Sequence, residues 1–436
     1  MFLSVLISLL LSCSPDPVAT SPEETLGEFD VEVEASEVIS SVLTVRWTTP
    51  EAGDGVVDFG EELRYTAEGR LGEDDVWEAT LVGFPANRDA QFRVRHGDVV
   101  DEVRTHTLEP APSWVPLDPE VVGEGTQGFL VSGYRSEEGR GALIVDSLGR
   151  PVWWYDALGW GEDTYVSRAT LSPSGDAVWF NTIRLRTAPD DADAERGVVR
   201  VSLDGSEVEH IPLEEHHHDF WLHEDGTIVY LAVAPAEVDG VAVDLDSVMK
   251  RAPDGTIETF YVTEDIVTPT TLQPWVNTIE YDEANGRYWV GAKSLASIIR
   301  LDAETGERID LIGGPKSDWD VDQAFVDQHG FDLLDDGRLL LFDNGDIAEM
   351  DSRPTRYLLD EETKTAELEW EYSADPPLYT NFLGDALDLG NGRVLSIWTF
   401  ESVVMELDEQ GEMASRWEYK DLEMLTFGRW YESVSP

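Results

Sequence analysis

Eight histidines occur in the 436 residues, and four of them, His216, His217, His218 and His223, fall within one short segment. A fifth, His329, shares a spacing with His218. Each lies eight residues before a glycine, Gly226 or Gly337, that is followed by an apolar run. A neutral imidazole held in a concave site suits nucleophilic or acid–base work near pH 7. Two ordinary turn histidines would give the same spacing, so the residues alone leave both readings open. The His216–Asp219 cluster does not have the pattern of a metal site. Its ligands are not at the usual separations, and consecutive residues on a strand are expected to point to opposite faces. No metal is assigned.

These histidines belong to a repeat. Ser167 lies eight residues before Gly175, Gly384 lies eight before Gly392, and Trp275 and Asn277 precede Gly286 more loosely. A second repeat interleaves with it. Turns at Gly149, Gly205, Gly255, Gly306, Thr363 and Gly411 recur every 48 to 57 residues, each between two apolar or aromatic runs. A glycine between two such runs is a hairpin signal, and six hairpins at this period predict an all-β, six-bladed β-propeller over residues 111–436. Equivalent positions of successive blades ring the axis. Ser167, His218, Trp275 or Asn277, His329 and Gly384 are therefore expected to share one mouth of the channel.

Before the propeller, residues 28–110 contain strand-like runs around Val42, Thr44, Val45 and Trp47, and around Leu81, Phe84, Phe92 and Val94. This stretch resembles a fibronectin type III or related immunoglobulin-like β-sandwich with Trp47 as its core tryptophan, and Phe92 stands where that family carries a corner tyrosine. Pro110, Pro112, Pro116 and Pro119 read as a stiff linker. At the start of the chain, the apolar run Phe2–Leu11 is too short to cross a bilayer, which takes about 20 residues. It is followed by Ser12 and the single cysteine, Cys13. Residues 1–12 are read as a lipoprotein-type signal peptide, Cys13 as the lipidated residue, and residues 13–27 as a tether rich in Pro, Ser, Thr and Glu. The expectation is an exported protein, periplasmic or lipid-anchored at the outer membrane, touching the membrane through its lipid alone. With 89 acidic residues against 30 lysines and arginines, the formal net charge is −59. Such a field excludes binding to nucleic acid or to anionic lipid surfaces.

The segment from Phe325 to Asp346, with Gln328, His329, Gly330 and then Leu341, Phe342, Asp343, Asn344 and Gly345, resembles the part of bacterial arylsulfotransferases that carries the transiently sulfurylated histidine. His217, His218 and Asp219 before the Gly226 turn are similar to a second histidine motif of that family. The stretches 275–282, 290–302 and 384–392 are similar to further blades. The resemblance implies transfer of a sulfuryl group from a small aromatic sulfate ester to a phenol without a cofactor. His329 would be the nucleophile, His218 the proton donor and acceptor, and Lys293 the charge partner of the transferring oxygens. Trp275, Asn277, Asn344 and His217 would be substrate-binding residues. Two departures stand out: Trp275 occupies the place of a family histidine, and Lys293 that of an arginine, which loses the planar fork that matches a sulfuryl group. They favour the alternative, a non-catalytic surface-anchored propeller that binds a glycan or a protein. Oligomeric state is not legible.

Overall fold

The computed structural model describes residues 25–72, 75–160, 164–184, 196–238, 241–267, 273–334, 336–390 and 392–434. The signal segment, Cys13 and most of the tether lie outside them. Among the described residues the architecture is all-β.

Residues up to Thr107 form two sheets. One pairs Asp30–Ala35, Leu43–Thr48, Trp77–Leu81 and Arg70–Leu71, and the other is built on Gly55–Phe59 and Asp89–His96. Alternation explains their shared core. Leu43, Val45 and Trp47 face inward while Thr44 and Arg46 do not, and the inward set packs with Phe59, Leu81, Phe84, Phe92 and Val94. Ile39, Val42 and Val82 instead join the core of the sheets that follow. That contact is reinforced by Ser41 Oγ donating to Val152 O at 2.8 Å and by Arg150 bonding Glu61 at 2.9 Å.

Among the described residues, six further sheets follow. Each is entered through its first strand: Ala169–Leu171, His216–Leu222, Val276–Asp282, Phe331–Leu333 and Asp385–Asp388 open the second to the sixth. The glycines of one sequence repeat, Gly175, Gly226, Gly286, Gly337 and Gly392, turn the first strand into the second. Those of the other repeat, from Gly149 to Gly411, turn the third into the fourth. In the fifth sheet, where Thr363 replaces glycine, Lys364 takes the positive φ, at 56°. The acid beside these turns has a local use. Asp146, Asp302, Asp360 and Asp408 each accept two backbone N–H groups of their own turn, which satisfies donors that the hairpin leaves over.

The first sheet has no glycine of the first kind, because its first strand is the last of the chain. Leu422–Tyr431 pairs with Phe129–Ser136, while Glu120–Gly123 adds itself to the outer edge of the sixth sheet, against Met413–Glu418. The first strands of the third to sixth sheets touch in series, and Leu422–Tyr431 touches those of the sixth and the second. A buried charge cluster fills the centre. Arg168 donates to Asp219 at 2.8 and 2.9 Å, to Asp385 at 3.2 Å and to Gly428 O at 2.7 Å; beside it, Arg429 meets Glu280 at 2.5 Å. Gly330 is required here, since a Cβ on it would lie 1.9 Å from Asp385 Oδ1.

Candidate functional site

Register fixes which residues are equivalent. Phe220, Ile279 and Phe331 stand opposite Tyr230, Val290 and Leu341, each four residues past its turn glycine. The residues two places earlier are His218, Asn277 and His329. Of the two candidates in the fourth sheet, Asn277 therefore holds the histidine register and Trp275 lies two residues ahead of it.

His329 is 1% exposed. Its Nδ1 is 2.7 Å from Asn344 Oδ1 and 3.1 Å from Asp327 O. The Asn344 amide cannot be turned round, because its Nδ2 already donates to Thr380 O and Leu383 O at 2.8 and 2.9 Å. Both groups facing Nδ1 are thus acceptors, so the network assigns the proton to Nδ1 and the lone pair to Nε2. Burial, assisted by the nearby Lys293 charge, pushes the imidazole down to about 3 against the Asn344 bond, and the ring is neutral at pH 7. Phe427 lies beside it, centroids 6.2 Å apart, with the Arg168 guanidinium on the same phenyl ring at 4.7 Å. Phe427 thereby separates His329 from the central charges.

His218 is arranged differently. It sits at φ 57°, where the pairing of its strand shifts register, and its carbonyl accepts from Asn181 Nδ2 at 2.9 Å and from Ser167 Oγ. This break in the strand corrects the expectation that neighbouring histidines point to opposite faces. The rings of His217 and His218 meet, Nδ1 to Nδ1, at 2.9 Å. Beyond them, His217 Nε2 lies 3.3 Å from Asp246 Oδ1, within reach of a charge contact though not aligned as a hydrogen bond. Trp275 presents its ring edge-on to His218 at 6.5 Å. His216, the remaining member of the run, is a buried strut bonded to Leu231 O and Asn181, and burial holds it near 3.

The other expected residues are all near these two, yet several are already occupied. Lys293, 23% exposed, pairs with Asp327 at 2.9 Å, and its backbone N–H donates to Trp275 O. Asn277 is fully buried and donates to Gln328 O at 2.7 Å, tying the fourth sheet to the fifth. Asn344 is committed to His329, and His217 is buried between His218 and Asp246. Trp221 lines a cavity of about 370 Å³ with Arg168, Glu280, Asp332 and Arg429. Sequence reasoning missed Asp246, Asp327 and Phe427. Asp327 had a visible signal, its place two residues before His329. The other two had none, since they come from a third strand and from the final strand of the chain.

Residues 123–399 match the family model Arylsulfotransferase (ASST). The sequence matches no curated protein. Among solved structures, the fold is similar to a protein of unknown function from Bacteroides caccae, at 12% identity and TM-score 0.45 over 69% of this chain and 98% of that one. It is also similar to a periplasmic gluconolactonase from Pseudomonas aeruginosa, at 11% identity and TM-score 0.45 over 71% and 100%. An auxiliary nutrient binding protein from Bacteroides ovatus aligns at 10% identity and TM-score 0.42 over 92% and 91%.

Proposed function

The chain belongs to the arylsulfotransferase family, and we propose that it moves a sulfuryl group from an aryl sulfate ester to a phenolic acceptor through His329. The observation that carries this reading is the fixed tautomer of His329: a neutral imidazole whose Nδ1–H is committed to two acceptors and whose Nε2 holds the lone pair. In the first half of the cycle Nε2 attacks sulfur, the N–S bond forms and the S–O bond to the aryl group breaks. The departing phenolate takes the Nε2 proton of a protonated His218. In the second half the neutral His218 removes the proton of an incoming phenol as its oxygen attacks sulfur, and the N–S bond breaks. Charge and protons balance over the two halves. Lys293 faces the transferring oxygens once it parts from Asp327, and Trp275 stacks on the aryl ring.

The proposal includes the rest of the chain. Residues 1–12 are a lipoprotein signal, Cys13 is the lipidated terminus of an exported protein, residues 28–110 form a fibronectin III-like sandwich, and residues 111–436 form a six-bladed propeller. The two sheets before Thr107 and the six after it support the last two assignments. A second reading, a propeller that binds a glycan or protein without turnover, is favoured by Trp275 and by the pairing of Lys293 with Asp327. One experiment separates the two readings. Purified protein is given a chromogenic aryl sulfate with and without a phenol, and is acid-quenched for intact-mass measurement. Acceptor-dependent release of the chromophore, with one added sulfuryl group on the donor-only protein, supports transfer. Silence in both measurements across a range of donors sinks it.

A further inference from the structure

Two consecutive strand residues whose rings touch are unusual, because alternation sends neighbouring side chains to opposite faces. In the third sheet the positive φ of His218 and the register shift beside it bring its ring onto His217. The group on the far side of His217 is Asp246, 0% exposed, on the third strand of the same sheet. Several bonds hold it in place. Its Oδ2 accepts from Val276 N at 3.0 Å, its backbone N–H donates to Thr263 Oγ1 at 3.1 Å, and Thr263 Oγ1 donates back to its carbonyl at 2.9 Å. Removing a carboxylate from water costs several kcal/mol, and such a group is retained where a cationic or proton-bearing partner faces it.

We propose that Asp246 and His217 are a positioning pair that fixes the tautomer of His218. The proton count follows from the contacts. Facing a carboxylate, His217 Nε2 carries hydrogen, so the Nδ1 of a neutral His217 accepts. Only one proton fits between two Nδ1 atoms at 2.9 Å, and it therefore belongs to His218. His218 Nδ1 keeps that proton throughout, which leaves Nε2 as the nitrogen that gains and loses one. Asp246 orients His217 and, through it, His218. Neither residue touches substrate. Both act through His218, and the inference rests on the sulfuryl-transfer reading above only for the role of His218.

Two measurements on the full chain test it. In ¹⁵N-histidine NMR, with the His218 signals identified by their loss in His218→Gln, the expected neutral form is Nδ1–H. Asp246→Asn and His217→Gln should shift it towards a mixture of tautomers. In steady-state assays with a series of phenol acceptors, both variants should lose at least about tenfold in kcat with weakly acidic phenols. They should lose little with acidic phenols that are already ionised and need no base. An Nε2–H tautomer in the wild type, or one unmoved by either substitution, overturns the proposal. So does an equal loss with every acceptor, which is what a merely structural defect would give. The NMR result does not depend on turnover. An inactive wild type that still shows the expected tautomer and its shift counts against sulfuryl transfer and for the positioning pair.

Discussion

His329 and His218 occupy the same register in sheets two apart, but the groups behind them differ in kind. Behind His329 stand a neutral amide and a backbone carbonyl. Behind His218 stand a second imidazole and, beyond it, a buried aspartate. The neutral backing fixes a lone pair, and burial keeps the ring from holding a second proton against the pull of those two acceptors, which suits a nucleophile. A relay that ends in a carboxylate lets a ring take a proton and return it. The repeat supplies the position, and the neighbouring strands decide the chemistry.

The comparison is most easily broken at its nucleophilic end. His329→Ala should abolish transfer and sulfuryl labelling, and added imidazole should restore release of the chromophore; a variant that still labels would move the nucleophile elsewhere. His218→Ala should keep the labelling and lose about 10²- to 10⁴-fold in turnover with weakly acidic phenols, the usual span for a general acid–base group. If the two variants exchange phenotypes, the assignment is inverted.

Smaller effects sharpen the comparison. Lys293→Ala should cost less than the roughly hundredfold usual for an oxyanion partner, because Asp327 already takes part of its charge. Trp275→His combined with Lys293→Arg, which restores the family's groups, should raise the rate, and a chromogenic assay reads both. The smallest effect is on stability and pH. His329 and His216 are each held near 3, well below the ordinary histidine value of about 6.5. In that window the unfolded chain binds more protons than the folded one, so stability is full above about 6.5 and falls as the pH drops towards 3. Each ring contributes a loss on the order of a few kcal/mol. Denaturant titrations at pH 7 and pH 4.5 should show the loss, and His329→Gln should reduce it. Because His329 stays neutral well below pH 6, its own protonation should not limit activity at pH 5.

Much of this arrangement was legible in the sequence, and the parts that were not have a common cause. Both sets of turn glycines lie where the hairpins are, because a tight reversal demands a positive φ that few other residues tolerate. His329, Asn344 and Lys293, named together from the sequence, lie together in the structure. Spacing shows which residue is near a site but not which way its side chain is already bonded, as Asn277 on Gln328 O and His217 on His218 illustrate. Asp246, Phe427 and Arg168 were invisible for a related reason. Each makes its decisive contact with a residue far away in the sequence, and only pairing between distant segments reveals it. Part of the acid excess, which the sequence shows only as a net charge, caps hairpin turns.

The closing strand has a consequence for how the molecule comes into being. Phe129–Ser136 waits for Leu422–Tyr431, a partner about three hundred positions further along the chain, and Glu120–Gly123 waits for Met413–Glu418. During synthesis five sheets can assemble from local hairpins while the first keeps a bare edge, and an unpaired edge is a template for pairing with other chains. The central charges share this dependence, since Gly428 and Arg429, partners of Arg168 and Glu280, belong to the same late strand. Contacts of such long sequence separation make the final step slow. Leu422–Tyr431 thus completes the first sheet from a great distance, and a nascent chain interrupted before it would hold nearly all of its sheets and still carry one open edge.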